Sequence, residues 1–89
     1  MEKEDKNDKT LLDVFRQGDR VMQVCYEPSG LKREYSGIVM KIEKHCIAIQ
    51  WDMINGEPLS DIRDIYTVFH ESEVFNGSDY SSPIEKKDN

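Results

Sequence analysis

The apolar residues of this chain fall in short clusters that alternate with polar positions, the two-residue period of half-buried strands, not the 3.6-residue period of an amphipathic helix. The first cluster, Arg20 to Tyr26, follows the turn signal Gln17-Gly18-Asp19 and is broken by Glu27-Pro28-Ser29-Gly30. Pro28 presets the first central position of a β-turn and Gly30 suits the fourth, so a loop is expected from Glu27 to Arg33. A second strand is expected from Glu34 to Ile42, with Ile38, Met40 and Ile42 on one face and Val39, Lys41 and Glu43 on the other. Gly37 interrupts it and marks a bulge or bend. After a turn at Lys44-His45, a third strand from Cys46 to Trp51 sets Ile47, Ile49 and Trp51 on a common face. Met53 to Pro58 reads as a loop whose Asn55-Gly56 pair tolerates positive φ. Leu59 to Ile62 and Ile65 to Phe69 complete five strands, separated by Arg63-Asp64, and Leu11 to Phe15 forms a helical turn or lead-in.

Five short strands and no long amphipathic helix predict an all-β fold, a small five-stranded SH3-like barrel, because closing the sheet removes exposed edges. The 89 residues make one domain, and at that size only ~60% of the unfolded surface is buried, which disfavours a deep catalytic pocket. Residues 1–10 are charged and lack aliphatic side chains beyond Met1, so they read as a disordered tail. Residues 71–89, with only Val74, Phe75, Tyr80 and Ile84 apolar, read as a second, acidic tail. The barrel is then residues 11–70.

The formal net charge is -6, but residues 11–70 carry seven Lys and Arg against nine Asp and Glu. A near-neutral core lacks the footprint of a dedicated duplex-DNA binder, leaving only a local basic patch of Arg20, Lys32, Arg33, Lys41 and Lys44. No apolar run is long enough to span a membrane, and an intracellular protein is expected, nuclear in a eukaryote. Cys25 and Cys46 lack Cys-x-x-Cys spacing and read as free thiols acting as small hydrophobes. Asn76-Gly77-Ser78 matches a glycosylation sequon, which without a secretory signal is a chance match.

Gly18-Asp19-Arg20-Val21, Tyr35-Ser36-Gly37-Ile38-Val39, Ile49-Gln50-Trp51-Asp52 and Asp61-Ile62 or Asp64-Ile65 occur in the order and spacing of a Tudor domain. Over residues 17 to about 69 the chain therefore resembles the Tudor domains of the Royal family, the Spindlin type included; its Gly-Asp-x-Val opening also resembles the KOW barrels of ribosomal and transcription-elongation proteins. The Tudor resemblance implies a reader of methylated lysine or arginine in a protein tail such as a histone's. In such readers an aromatic cage holds a methylated ammonium, each well-placed ring contributing about 0.5–2 kcal/mol of cation–π attraction. Matched by position, Tyr26, Tyr35 and Trp51 supply the rings and Asp52 the carboxylate. The chain departs from the family at Met53, Ile54 and Asn55, where a further acid and aromatic are usual, so the implied cage is partial.

The same residues admit other readings. Trp51 shares a face with Ile47 and Ile49, as a core residue would, and Tyr26 and Tyr35 also suit a barrel rim. The KOW resemblance implies a nucleic-acid or ribonucleoprotein module, with Lys32, Arg33, Lys41 and Lys44 on phosphates and Tyr35 or Trp51 stacked on a base. A plain protein-interaction adaptor would instead dock a partner at the barrel edge or at Val74-Phe75. No enzymatic motif, cofactor or metal site is expected: a zinc or catalytic centre would need His45, Cys46 and His70 to converge with a carboxylate. The protein is expected to be monomeric.

Overall fold

The computed structural model describes residues 10–59 and 66–87. In chain order these form α1 (Leu11–Val14), β1 (Arg20–Tyr26), β2 (Lys32–Ile42), β3 (Cys46–Ile54), β4 (Glu57–Pro58), β5 (Tyr66–His70), α2 (Glu71–Asn76) and β6 (Glu85–Lys86). All pairings are antiparallel, in the order β4-β3-β2-β1-β6, with β5 also on β3. The coarse all-β expectation therefore holds. The expected tail of residues 1–10 and the expected strand from Leu59 to Ile62 lie almost wholly outside the described residues. Of these positions, Thr10 starts α1, its N–H donating to Asp13 Oδ2 at 2.8 Å.

The five-stranded barrel is not closed. Closure would bring β5 to the free edge of β1; instead β5 lies on β3, at Cys46↔His70 through Gln50↔Tyr66, and the edge of β1 is taken by the C-terminal segment. That segment, expected to be a disordered tail from residue 71, is ordered through residue 87. The Tyr26 N–H donates to Tyr80 O at 2.7 Å, Ser82 N–H to Val24 O at 2.8 Å and Lys87 N–H to Arg20 O at 2.8 Å, lacing the strap along β1. The physical reason is burial. Val74 and Ile84 are almost completely inaccessible and join Leu11, Phe15, Val21, Val39, Ile47, Ile49 and Trp51 in one core. Gly77 ends α2 with φ of 71°, and a Cβ there would stand 2.4 Å from Ser81 O, so the turn into the strap requires glycine.

Two register shifts shape β2 and β3. Ser36 pairs with Met53 but Gly37 with Trp51, which leaves Asp52 as the inserted residue; Val39 pairs with Ile49 but Lys41 with Ala48, which leaves Met40 inserted. The second bulge corrects the expected faces of β2. Ile38 lies outside the core opposite its neighbour Val39, and because the inserted Met40 resets the two-residue period Ile42 joins Val39 toward the core.

If the strap completes the core, shortening its buried anchor must cost as much as shortening a strand residue. Ile84→Ala is expected to destabilise the protein by about 2–4 kcal/mol, measured from the urea midpoint. Tyr80→Ala, on the exposed side of the same strap, is expected to change stability by no more than about 0.5 kcal/mol.

Candidate functional site

The ladder between β1 and β2 decides whether the expected cage residues meet. Gln23 is buried on the core face and is the cross-strand partner of Tyr35, so Tyr35 also faces the core. Tyr26 lies three residues beyond Gln23, opposite Lys32, and so projects from the other face, where it is 46% exposed. Trp51 shares the inner face with Tyr35; their ring centroids lie 5.8 Å apart, tilted by 56°, and Phe69 meets Trp51 edge-on at 6.1 Å. At 8% exposure, Trp51 is a core residue, and its ring is not open to a ligand.

Asp52 is on the outer face. Its two carboxylate oxygens accept from the Arg20 guanidinium, Nη1 to Oδ1 and Nη2 to Oδ2, both at 2.9 Å, and Arg20 Nη1 also donates to Ser36 Oγ at 2.9 Å. Arg20 and Ser36 both belong to the outward rows of their strands, which fixes the side on which Asp52 stands. The hydrogen bonds from Arg20 hold the Asp52 carboxyl below its ordinary range, and those to Asp52 raise the guanidinium further. Its charge is therefore matched within the fold, not held free for an ammonium. Of the four expected cage residues, the structure brings together two, Tyr35 and Trp51, and places Tyr26 and Asp52 on the opposite face.

The basic residues of the alternative reading are also divided. Lys32 and Arg33 open β2, where Arg33 pairs with Glu27, while Lys41 lies nine residues along the strand, roughly 30 Å away at a rise of about 3.3 Å per residue. Lys44 is beyond it, at the turn before β3. Among the described residues no continuous phosphate track joins the two ends.

Sequence reasoning missed the outer face of β2, β3 and β5. Cross-strand register there forms the rows Ile38–Gln50–Tyr66 and Lys41–Ala48–Val68, with Met40 bulged beside the second. Met40 is 43% exposed, Tyr66 57% and Val68 62%. A groove of about 240 Å³ opens here, lined by Lys41, Glu43, Cys46, Ile47, Ala48 and Val68. The signal available in the sequence is the uncharged run Tyr66-Thr67-Val68-Phe69-His70.

At the end of this face His45 Nδ1 lies 2.9 Å from Glu71 Oε2, and the Glu71 N–H donates to His45 O, tying the β2–β3 turn to α2. Cys46 and His70 are cross-strand partners, and His70 Nδ1 accepts from the Ser72 N–H at 3.2 Å. Although these residues do gather at one corner, no group of three or more His, Cys, Asp or Glu among the described residues is arranged to hold a metal ion. Cys25 and Cys46 are free thiols, and burial pushes the Cys25 thiol up, away from the reactive thiolate. No helix among the described residues is long and apolar enough to cross a membrane. The chain matches no family model, no curated protein and no solved structure.

The Arg20–Asp52 pair gives a pH signature of definite sign. A carboxyl whose pKa is lowered by folding stabilises the native state above its unfolded pKa, and that contribution is lost as pH falls through the folded value. Asp52→Asn is therefore expected to cost about 1–3 kcal/mol at pH 7. Its deficit against the parent should shrink as pH falls below the ordinary carboxylate value of about 4, read from urea midpoints over that range.

Proposed function

We propose that the protein is a non-enzymatic protein-interaction module that takes an extended segment of a partner as an added strand along β5, with the apolar outer face of β2, β3 and β5 as its floor. One observation carries this reading: the sheet's edges are guarded unequally. β4 is two residues long and contains Pro58, which has no N–H to offer a neighbour. The edge of β1 is covered by the strap, which contains Pro83 and ends in the charged pair Glu85-Lys86. β5 has neither device. It is five uncharged residues of high β-propensity, paired on one side with β3 and on the other with no strand among the described residues.

The groove supports the same reading. Strand addition draws affinity from main-chain hydrogen bonds and specificity from pockets for alternate side chains, and the 240 Å³ beside Val68 and Ala48 suits one large apolar side chain. A second reading, a methylammonium reader, keeps the support of the Tyr35–Trp51 pair alone. It requires the inner-face ring of Trp51 to become accessible.

A titration of isotope-labelled protein separates the readings. The probes are decapeptides selected on the protein from a random display library, peptides bearing trimethyllysine or dimethylarginine, and a single-stranded oligonucleotide. Selected peptides are expected to shift the amides of residues 66–70 and Ala48, and Val68→Lys to weaken them about tenfold or more. Shifts centred on Tyr35 and dependent on the methyl groups would replace this reading with the second. Salt-dependent shifts at Lys32, Arg33 or Lys41 would point to nucleic acid instead.

A further inference from the structure

The β5 edge is self-complementary, and we infer that in the absence of another partner it pairs with β5 of a second copy, forming a two-fold dimer with Val68 on the axis. This rests on the reading of β5 as a strand-accepting edge and names the strand that it accepts.

Register is the first support. In an antiparallel pair centred on Val68, Tyr66 of one copy faces His70 of the other, Thr67 faces Phe69, and Val68 faces Val68. Within each copy Tyr66, Val68 and His70 are the cross-strand partners of Gln50, Ala48 and Cys46, so all three stand on the outer face, and Thr67 and Phe69 on the inner. Every facing pair therefore joins side chains of the same face. The outer row would then continue from Lys41 and Ala48 through Val68 into its counterpart, covering Val68 and Tyr66, two of the most exposed apolar side chains of the described residues.

Charge is the second. A chain of net charge -6 repels its own copy, so self-association is confined to surfaces that bring no like charges face to face. The other exposed edges offer little seam of any kind: β4 and β6 are two residues each, and β4 contains Pro58, which has no N–H to donate. β5 has no charged residue, and none of its five self-pairs sets like charges opposite each other. The long-range repulsion that remains is screened beyond about 8 Å at physiological ionic strength. A five-residue seam is short, which makes the dimer weak and concentration-dependent.

Sedimentation velocity between about 10 μM and 1 mM is expected to show conversion from monomer to dimer, stronger at about 0.5 M than at about 0.05 M NaCl because salt screens the residual repulsion. In a mixed-label sample of the unaltered protein, isotope-filtered contacts are expected between Val68 and Val68 and between Tyr66 and His70. Val68→Lys places two ammonium groups at the axis and is expected to weaken the dimer at least about tenfold, whereas Met40→Lys, off the seam, leaves it intact. A monomer at every concentration, a dimer indifferent to Val68→Lys, or intermolecular contacts elsewhere would overturn the inference. If the protein stays monomeric while selected peptides still shift residues 66–70, self-pairing falls and the interaction-module reading stands. If neither occurs, both fall.

Discussion

The close approach of β3 to Gly37 governs the arrangement of this protein. A Cβ at Gly37 would lie 2.4 Å from Gln50 O and 2.9 Å from the Trp51 Cα, so no other residue lets the two backbones meet there without a shift. Beside that contact the register slips, Asp52 becomes the inserted residue, and the two-residue period of β3 is broken at the point where it leaves Trp51. Trp51 completes the inward row of Ile47 and Ile49, while Asp52 is freed to reach Arg20 on the outer face. One glycine thus lets the strands meet where the largest core side chain, Trp51, is followed by the outward Asp52 of the bidentate ion pair, and the bulge keeps Asp52 and Met53 on the same outer side.

The open sheet follows from how little core so short a chain can assemble. A curved antiparallel sheet of this length offers one row of inward side chains per strand, and a domain of this size is marginal unless more apolar area is added. Here the addition comes from outside the sheet: Leu11 from α1, Phe15 just after it, Val74 from α2 and Ile84 from the strap. Since the strap occupies the edge of β1, β5 has no strand to close against and remains on β3. The strap that brings Ile84 into the core thus takes the edge against which a barrel would close.

These facts explain which features could be read from the sequence. Local alternation bounded by turn residues located β1 at Arg20–Tyr26 without error, and it found β2, β3 and β5 to within a few residues. It failed where the pattern depends on a partner. Met40 shares a face with Ile42 only if the period is counted through the bulge, and a bulge is a property of two strands. The segment after residue 71 looked like a tail because its composition is polar, yet stability there depends on two anchors, Val74 and Ile84, and on backbone hydrogen bonds to β1 that composition does not record. The candidate cage failed for a related reason. Tyr35 and Trp51 meet as their positions along the strands suggested, but register places Tyr26 on the other face, and strand alternation alone turns Asp52 away from its neighbour Trp51.

An edge strand of Tyr, Thr, Val, Phe and His is costly to leave bare. Unpaired N–H and C=O groups beside β-branched and aromatic side chains make a template for uncontrolled pairing, and a single Lys in place of Val68, already 62% exposed, would remove the hazard at little cost. The same chain places prolines at its other two edges and has charged residues in abundance, so the materials for protection are present and are used elsewhere. On the proposed reading the strand lacks them because it is occupied: when β5 is covered by another strand, its main-chain groups are satisfied, Val68 and Tyr66 are buried, and a charge at that position would be the destabilising choice.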